Sequence, residues 1–124
     1  METIKYALIT GAGSFIGGAS RYLVSVAVQL ASKVGYPIST FLVNIAGSFL
    51  IGLILSAWEQ DIISDTSRIF LATGIMGGFT TFSSFSQEIM LMLKAGQTGP
   101  ALLYIFSSII LGLGACIFGY YLGK

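Results

Sequence analysis

The sequence contains no histidine, one cysteine, two prolines and few charges, with six basic and five acidic residues among 124. Without histidine, it lacks the commonest transition-metal ligand and proton shuttle. Its single cysteine, Cys116, cannot form an intrachain disulfide. The sequence offers no evident cluster of a nucleophile, a base and an orienting residue, so we expect no enzymatic activity. We also expect no nucleic-acid partner.

Long apolar runs take the place of charge. Hydrophobic residues make up 55% of the chain, and uncharged stretches reach 29 residues, whereas ~20 mostly apolar residues suffice to cross a bilayer. The first apolar run shows no clear cleavage site, so we expect no signal peptide. The sequence therefore predicts an all-α integral membrane protein with one domain over residues 1–124. Its four transmembrane helices are predicted at about 5–31, 38–58, 68–93 and 100–122.

Residues 74–85, inside the predicted third span, favour a broken helix. Glycines lower helix propensity there, and Thr and Ser hydroxyls compete for backbone hydrogen bonds. Within a membrane, irregular backbone persists only where protein or enclosed water satisfies its polar groups. The break therefore predicts a permeation or binding site. Unwinding at 77–80 would release carbonyl oxygens either to a hard cation such as Na⁺ or to water.

The basic residues are almost balanced between the two predicted sides of the membrane. Lys5, Arg68 and Lys124 lie on one side, against Lys33, Lys94 and, if its side chain reaches that interface, Arg21. Orientation normally follows a clear excess of Lys and Arg on one side. The balance indicates either dual topology with antiparallel pairing or a weak bias that other factors resolve. Four helices are too few to enclose an aqueous pore, so we expect an oligomer.

Three charged or amide side chains inside the spans are candidates for function, each with a structural alternative. Arg21 either snorkels to the interface or forms an electropositive vestibule that attracts an anion. Asn44 either donates hydrogen bonds to an anion or joins two helices. Glu88 either marks a pore mouth or cation site, or lies at the membrane interface near the end of its helix.

Hydroxyls and aromatic rings form a second set of candidates. Tyr104 and Ser108 lie one helical turn apart, so their hydroxyls either form a ladder for an anion or bond their own helix. Phe82 and Phe85 lie three residues apart, so they share a helix face. They either pack as ordinary apolar residues or turn their positive ring edges toward a small anion.

Together these motifs resemble the Fluc (CrcB) family of fluoride channels, over nearly the whole chain. The similar segments are GGASRY at 17–22, TFLVN at 40–44, GSF at 47–49 and GGFTTFSSF at 77–85. The resemblance implies an antiparallel, dual-topology homodimer with two fluoride pores in the lipid of a cell (inner) membrane of a bacterium or other microbe. Its implied role is passive export of fluoride from the cytoplasm, and selectivity over chloride rests on the resemblance alone.

The resemblance also implies site residues. The fluoride pore would be lined by Phe82, Phe85, Asn44, Tyr104 and Ser108, with Thr81 and Ser83 as further candidates. Backbone carbonyls of Gly77 and Thr80 would hold a structural Na⁺ at the dimer centre. Some relatives carry another hydroxyl one turn beyond Ser108, where this chain has Gly112, so the end of the polar track stays open.

Two other functions compete. A small dual-topology, proton-coupled multidrug exporter needs a titratable membrane carboxylate, usually early in the chain. The first three-fifths of this chain place no acidic residue inside a predicted span. A scaffold subunit of a larger membrane complex would explain close helix packing but not the interrupted third span.

Overall fold

The structure, a computed structural model, describes residues 1–31 and 37–124, and its regular elements there are all helical. In chain order they are α1 (Glu2–Ala31), α2 (Ile38–Glu59), α3 (Asp65–Arg68), a π-helical segment (Ile69–Met76), α4 (Gly77–Phe79), α5 (Phe82–Lys94) and α6 (Thr98–Leu122). Three stretches of this described part are long and apolar enough to cross a membrane: Ile38–Glu59, Asp65–Lys94 and Thr98–Leu122.

Helix α1 differs from those three stretches in composition. Its 30 residues would extend about 45 Å, more than a bilayer core requires. Glycines, serines and Arg21 lower its hydropathy, and it is not among the helices apolar enough to qualify. The predicted first span 5–31 therefore remains a prediction. Residues 32–36, which lie between the predicted first and second spans and include Lys33, are outside the described residues, and Pro37 directly precedes α2.

Helices α2 and α6 lie side by side and run in the same direction. Their backbones approach so closely at Gly52 that a Cβ there would clash with the carbonyl of Cys116 and lie 2.8 Å from the nitrogen of Tyr120. Gly119 is held in the same way against the carbonyl of Phe49. These glycines allow the two helices to pack closely, so that polar side chains of α2 lie opposite polar side chains of α6.

Helix α1 packs against the π-helical segment. A Cβ on Gly13 would lie 2.6 Å from the carbonyl oxygen of Phe70 and 2.9 Å from Cα of Gly74. One turn on, Gly17 meets the carbonyl of Ile75. The wider turn of a π-helix is rare and is often found at functional sites. Here it leads directly into the segment where the helix stops.

Candidate functional site

The helical path stops at two extended residues, Thr80 (φ −86°, ψ 155°) and Thr81 (φ −151°, ψ 127°). The sequence predicted unwinding over 77–80, but the structure keeps Gly77–Phe79 in a helical turn, so the start of that prediction was wrong. The physical reason lies in Asn44. Its Oδ1 accepts from the N–H of Thr81 at 2.8 Å, and its Nδ2 donates to the carbonyl of Thr81 at 3.1 Å.

Thr81 then starts the next helix. Its Oγ1 accepts a hydrogen bond from the N–H of Ser84 at 3.2 Å, which is the usual cap of a helix N-terminus. Asn44 thus satisfies both backbone groups of Thr81, and the cap satisfies the N–H of Ser84, all of which an unbroken helix would have bonded internally. Of the two roles that the sequence left open for Asn44, the structure shows the joining of α2 to the break.

The carbonyl of Gly77 loses its helical partner, because the N–H of Thr81, four residues on, now bonds Asn44. Nε of Arg21 donates to the carbonyl of Gly78 at 3.1 Å. Within residues 1–31 and 37–124, no donor reaches the carbonyl oxygens of Gly77 or Thr80. Hard cations bind such oxygens. The carbonyl oxygens of Gly77 and Thr80 are therefore suitable ligands for Na⁺, although one chain supplies only these two.

A groove of about 270 Å³ opens beside the break, between α2, α5 and α6. It is lined by Asn44, Ser48, Thr80, Thr81, Phe82, Phe85, Ser108, Ile109 and Gly112. The groove thus gathers five of the seven predicted pore residues, and its lining carries no charged side chain. Oγ of Ser108 is buried and finds no hydrogen-bond partner in the described part of the chain. An orphaned hydroxyl of this kind calls for a ligand or water.

The two phenylalanines form one wall of the groove. Their ring centroids lie 5.8 Å apart with the planes tilted by 45°. Phe85 also lies 5.0 Å from the ring of Tyr104, at 59°. Phe82 is 78% exposed in the single chain. Tilted rings leave their positive edges available to a neighbour, unlike rings that are stacked face to face.

Tyr104 lies one turn from this groove and does not line it. It is buried, and its hydroxyl donates to Oε2 of Glu88 at 3.1 Å. The hydroxyl of Thr40 donates to the other oxygen of Glu88. From the sequence, Thr40 was noted only within the TFLVN motif at 40–44 and was given no role in the site. The available signal was its spacing of four residues from Asn44, which places both side chains on one face of α2.

Two further predicted residues also lie outside the groove lining. The hydroxyl of Ser83 lies 3.2 Å from Oγ1 of Thr81, at the start of α5. Arg21, on α1, does not line the groove and instead donates to the carbonyl of Gly78 in α4. The structure therefore gives Arg21 a contact that the sequence did not anticipate, at the carbonyl next to the predicted cation ligands.

Known proteins match this chain along almost its full length. A family model described as CrcB-like protein, Camphor Resistance (CrcB), matches residues 8–120. A fluoride-specific ion channel FluC from Thermus thermophilus is 46% identical over 116 residues, covering 94% of this chain and 93% of the relative.

More distant relatives carry the same name. The FluC proteins of Chlorobium phaeobacteroides and Ruminiclostridium cellulolyticum are 42% and 39% identical over 118 and 126 residues. These matches cover 94% and 100% of this chain, and 91% and 93% of the two relatives. With the family model spanning residues 8–120, the chain belongs to the CrcB family.

Proposed function

We propose that this chain forms a fluoride-selective channel through which fluoride leaves the cytoplasm passively, which lowers its toxicity. The observation that carries the proposal is the uncharged groove with the buried, unpartnered hydroxyl of Ser108. Fluoride is small and strongly hydrated, so a pore must replace its water with other donors. A conducting site must also release the ion, and neutral donors bind it more weakly than a fixed cation would.

Three kinds of donor would meet the ion in the groove. Ser108 offers a hydroxyl, and Nδ2 of Asn44 retains a second N–H beyond the one given to Thr81. Phe82 and Phe85 offer ring edges. In our proposal the hydroxyls of Thr81 and Ser83, at the start of α5, and the ring of Tyr104, whose centroid lies 5.0 Å from that of Phe85, complete the pore lining. Arg21 would add positive charge to a vestibule at the pore mouth, which would attract the anion.

The open side of the groove supports a dimer. Lipid cannot hydrogen-bond the groove's hydroxyls and amide, and a membrane-spanning site of this kind needs a protein cover. In our proposal a second copy supplies it, with α1 completing four spans in each chain. The nearly even distribution of Lys and Arg favours an inverted partner. The assembly would be an antiparallel, dual-topology homodimer with two pores, in the inner membrane of a bacterium.

A structural Na⁺ is proposed at the centre of this dimer. Each chain would offer the carbonyl oxygens of Gly77 and Thr80, which no described donor occupies. An inverted partner would bring a second pair to the two-fold axis, giving four oxygens. In the described residues no cluster of acidic or cysteine side chains could hold a metal instead. The bound ion would tie the two breaks together.

Purified protein in liposomes tests this function. Vesicles loaded with fluoride and chloride should release fluoride alone, without proton uptake. Ser108→Ala should slow release roughly tenfold, the effect of losing about 1.4 kcal/mol of hydrogen bonding. Ser67→Ala is the control, because Ser67 lines a separate groove with Ile9 and Phe70 that contains no proposed pore residue, and it should leave the rate unchanged. Equal release of both anions, or of neither, would remove the assignment.

The multidrug-exporter alternative is not favoured. Its necessary carboxylate would have to be Glu88, whose two oxygens accept hydrogen bonds from Thr40 and Tyr104. The relatives are named as ion channels, which is neither an exporter nor an enzyme class. A scaffold role leaves the unpartnered hydroxyl of Ser108 unexplained.

A further inference from the structure

Residues of α2 and α6 face each other at three successive positions along the two helices, which are called levels below, and each level carries at least one polar side chain. Because the helices run in parallel, residues 64 positions apart face each other, as Gly52 faces Cys116. At the first level Thr40 and Tyr104 share Glu88 as acceptor. At the second level Asn44 and Ser108 both line the groove. Successive levels are four residues, or about 6 Å, apart along each helix.

The third level pairs Ser48 with Gly112. Both line the groove, and a Cβ built on Gly112 would lie 3.8 Å from Oγ of Ser48. The hydroxyl of Ser48 thus lies within reach of the space that a side chain at position 112 would enter. Glycine contributes no side chain at this level, so the polar group there comes from α2 alone.

The hydroxyl of Ser48 has no other use that the structure shows. A serine within a helix commonly bonds the carbonyl four residues earlier, as Ser86 does with Phe82 at 3.0 Å. Across the described ranges, Ser48 makes no such bond and has no side-chain partner. Its neighbours one turn before and two turns before are both engaged, Asn44 with Thr81 and Thr40 with Glu88.

We propose that Ser48 is a further ion-contacting residue of the pore, which supplies from α2 the hydroxyl that α6 lacks at Gly112. The inference rests on the proposed function and extends it, because it completes the polar track beyond Ser108. A halide leaving Ser108 meets the Ser48 hydroxyl at the next level. The track therefore crosses from α6 to α2 at this point.

A transplanted hydroxyl tests the inference in fluoride-loaded liposomes. Ser48→Ala should slow fluoride release roughly tenfold, as expected for one lost hydrogen bond. Adding Gly112→Ser to that variant should return the rate to within roughly threefold of wild type, by the same conversion. Adding Gly112→Ala should not, because a methyl group fills the space without donating. The position tolerates a Cβ, since the nearest atom to it lies 3.8 Å away.

Each outcome discriminates. Wild-type release from Ser48→Ala, or equal rescue by Gly112→Ala and Gly112→Ser, would overturn the role of the hydroxyl while the channel function stood. No release from wild-type protein would remove the proposed function and this inference with it. If Ser48→Ala fails to fold, Ser48→Thr and Ser48→Val are of equal size and differ in the hydroxyl. Thr should then conduct roughly tenfold faster than Val, and equal rates would overturn the inference.

Discussion

Replacing Asn44 by alanine should destabilise the protein and stop conduction, because one amide holds the break in place. The side chain accepts from the N–H of Thr81 at 2.8 Å and donates to its carbonyl at 3.1 Å. Asn44→Ala leaves both backbone groups without these partners inside the protein. Hydrogen bonds between membrane helices average ~0.6 kcal/mol, whereas orphaned buried groups cost ~1–3 kcal/mol each. Two average bonds and two orphaned groups bracket an expected loss of roughly 1–6 kcal/mol in the free energy of unfolding.

The assay is unfolding in mixed detergent micelles, followed by the fluorescence of the single tryptophan, Trp58. Gln60→Ala is the control, because Gln60 also donates to backbone carbonyls, those of Ser56 and Gly123, at 3.0 Å each. Gln60 lies at an exposed helix end where water can replace it, so its loss should cost less than ~1 kcal/mol. Unchanged stability and flux in Asn44→Ala would refute the reasoning. Unchanged stability with lost flux would mean that Asn44 contacts the ion but does not stabilise the break.

Two further results should follow. Phe82→Ile and Phe85→Ile should each lower fluoride release at least tenfold while the dimer persists on size exclusion, because isoleucine has no positive ring edge. Phe106→Ile is the control, since Phe106 lies two residues from Ser108, on the opposite side of α6. Wild-type flux in all three variants would mean that Phe82 and Phe85 are only packing residues. Exhaustive replacement of Na⁺ by a large organic cation should impair folding or conduction, and Na⁺ should restore it. Indifference to Na⁺ would remove the central site.

The sequence predicted the helical class and the three most apolar stretches to within three residues at each end, because long uncharged runs leave few alternatives. It was less informative for α1, where glycines and Arg21 dilute the apolar signal. The π-helical segment before the break was not predicted at all. Its wider turn has no composition of its own, since the same apolar residues fit an α-helix.

The site was predictable where residue type decides the chemistry, and less so where contacts decide it. Phe82, Phe85, Asn44 and Ser108 do lie together in one groove. The exact start of the break was missed, because it depends on Asn44, 37 residues away in sequence, bonding Thr81 and no other residue. The pairing of Thr40 with Glu88 likewise depends on the packing of α2 against α5.

The central claim is passive, selective movement of fluoride, and a reversal potential measures it most directly. Purified protein in a planar bilayer should be exposed to a tenfold fluoride gradient with chloride and pH equal on both sides. A channel selective for fluoride should reverse at about 59 mV, the potential for one charge and a tenfold ratio. An added pH gradient should leave that value unchanged. A reversal potential of zero, or one that follows the pH gradient, would contradict the account.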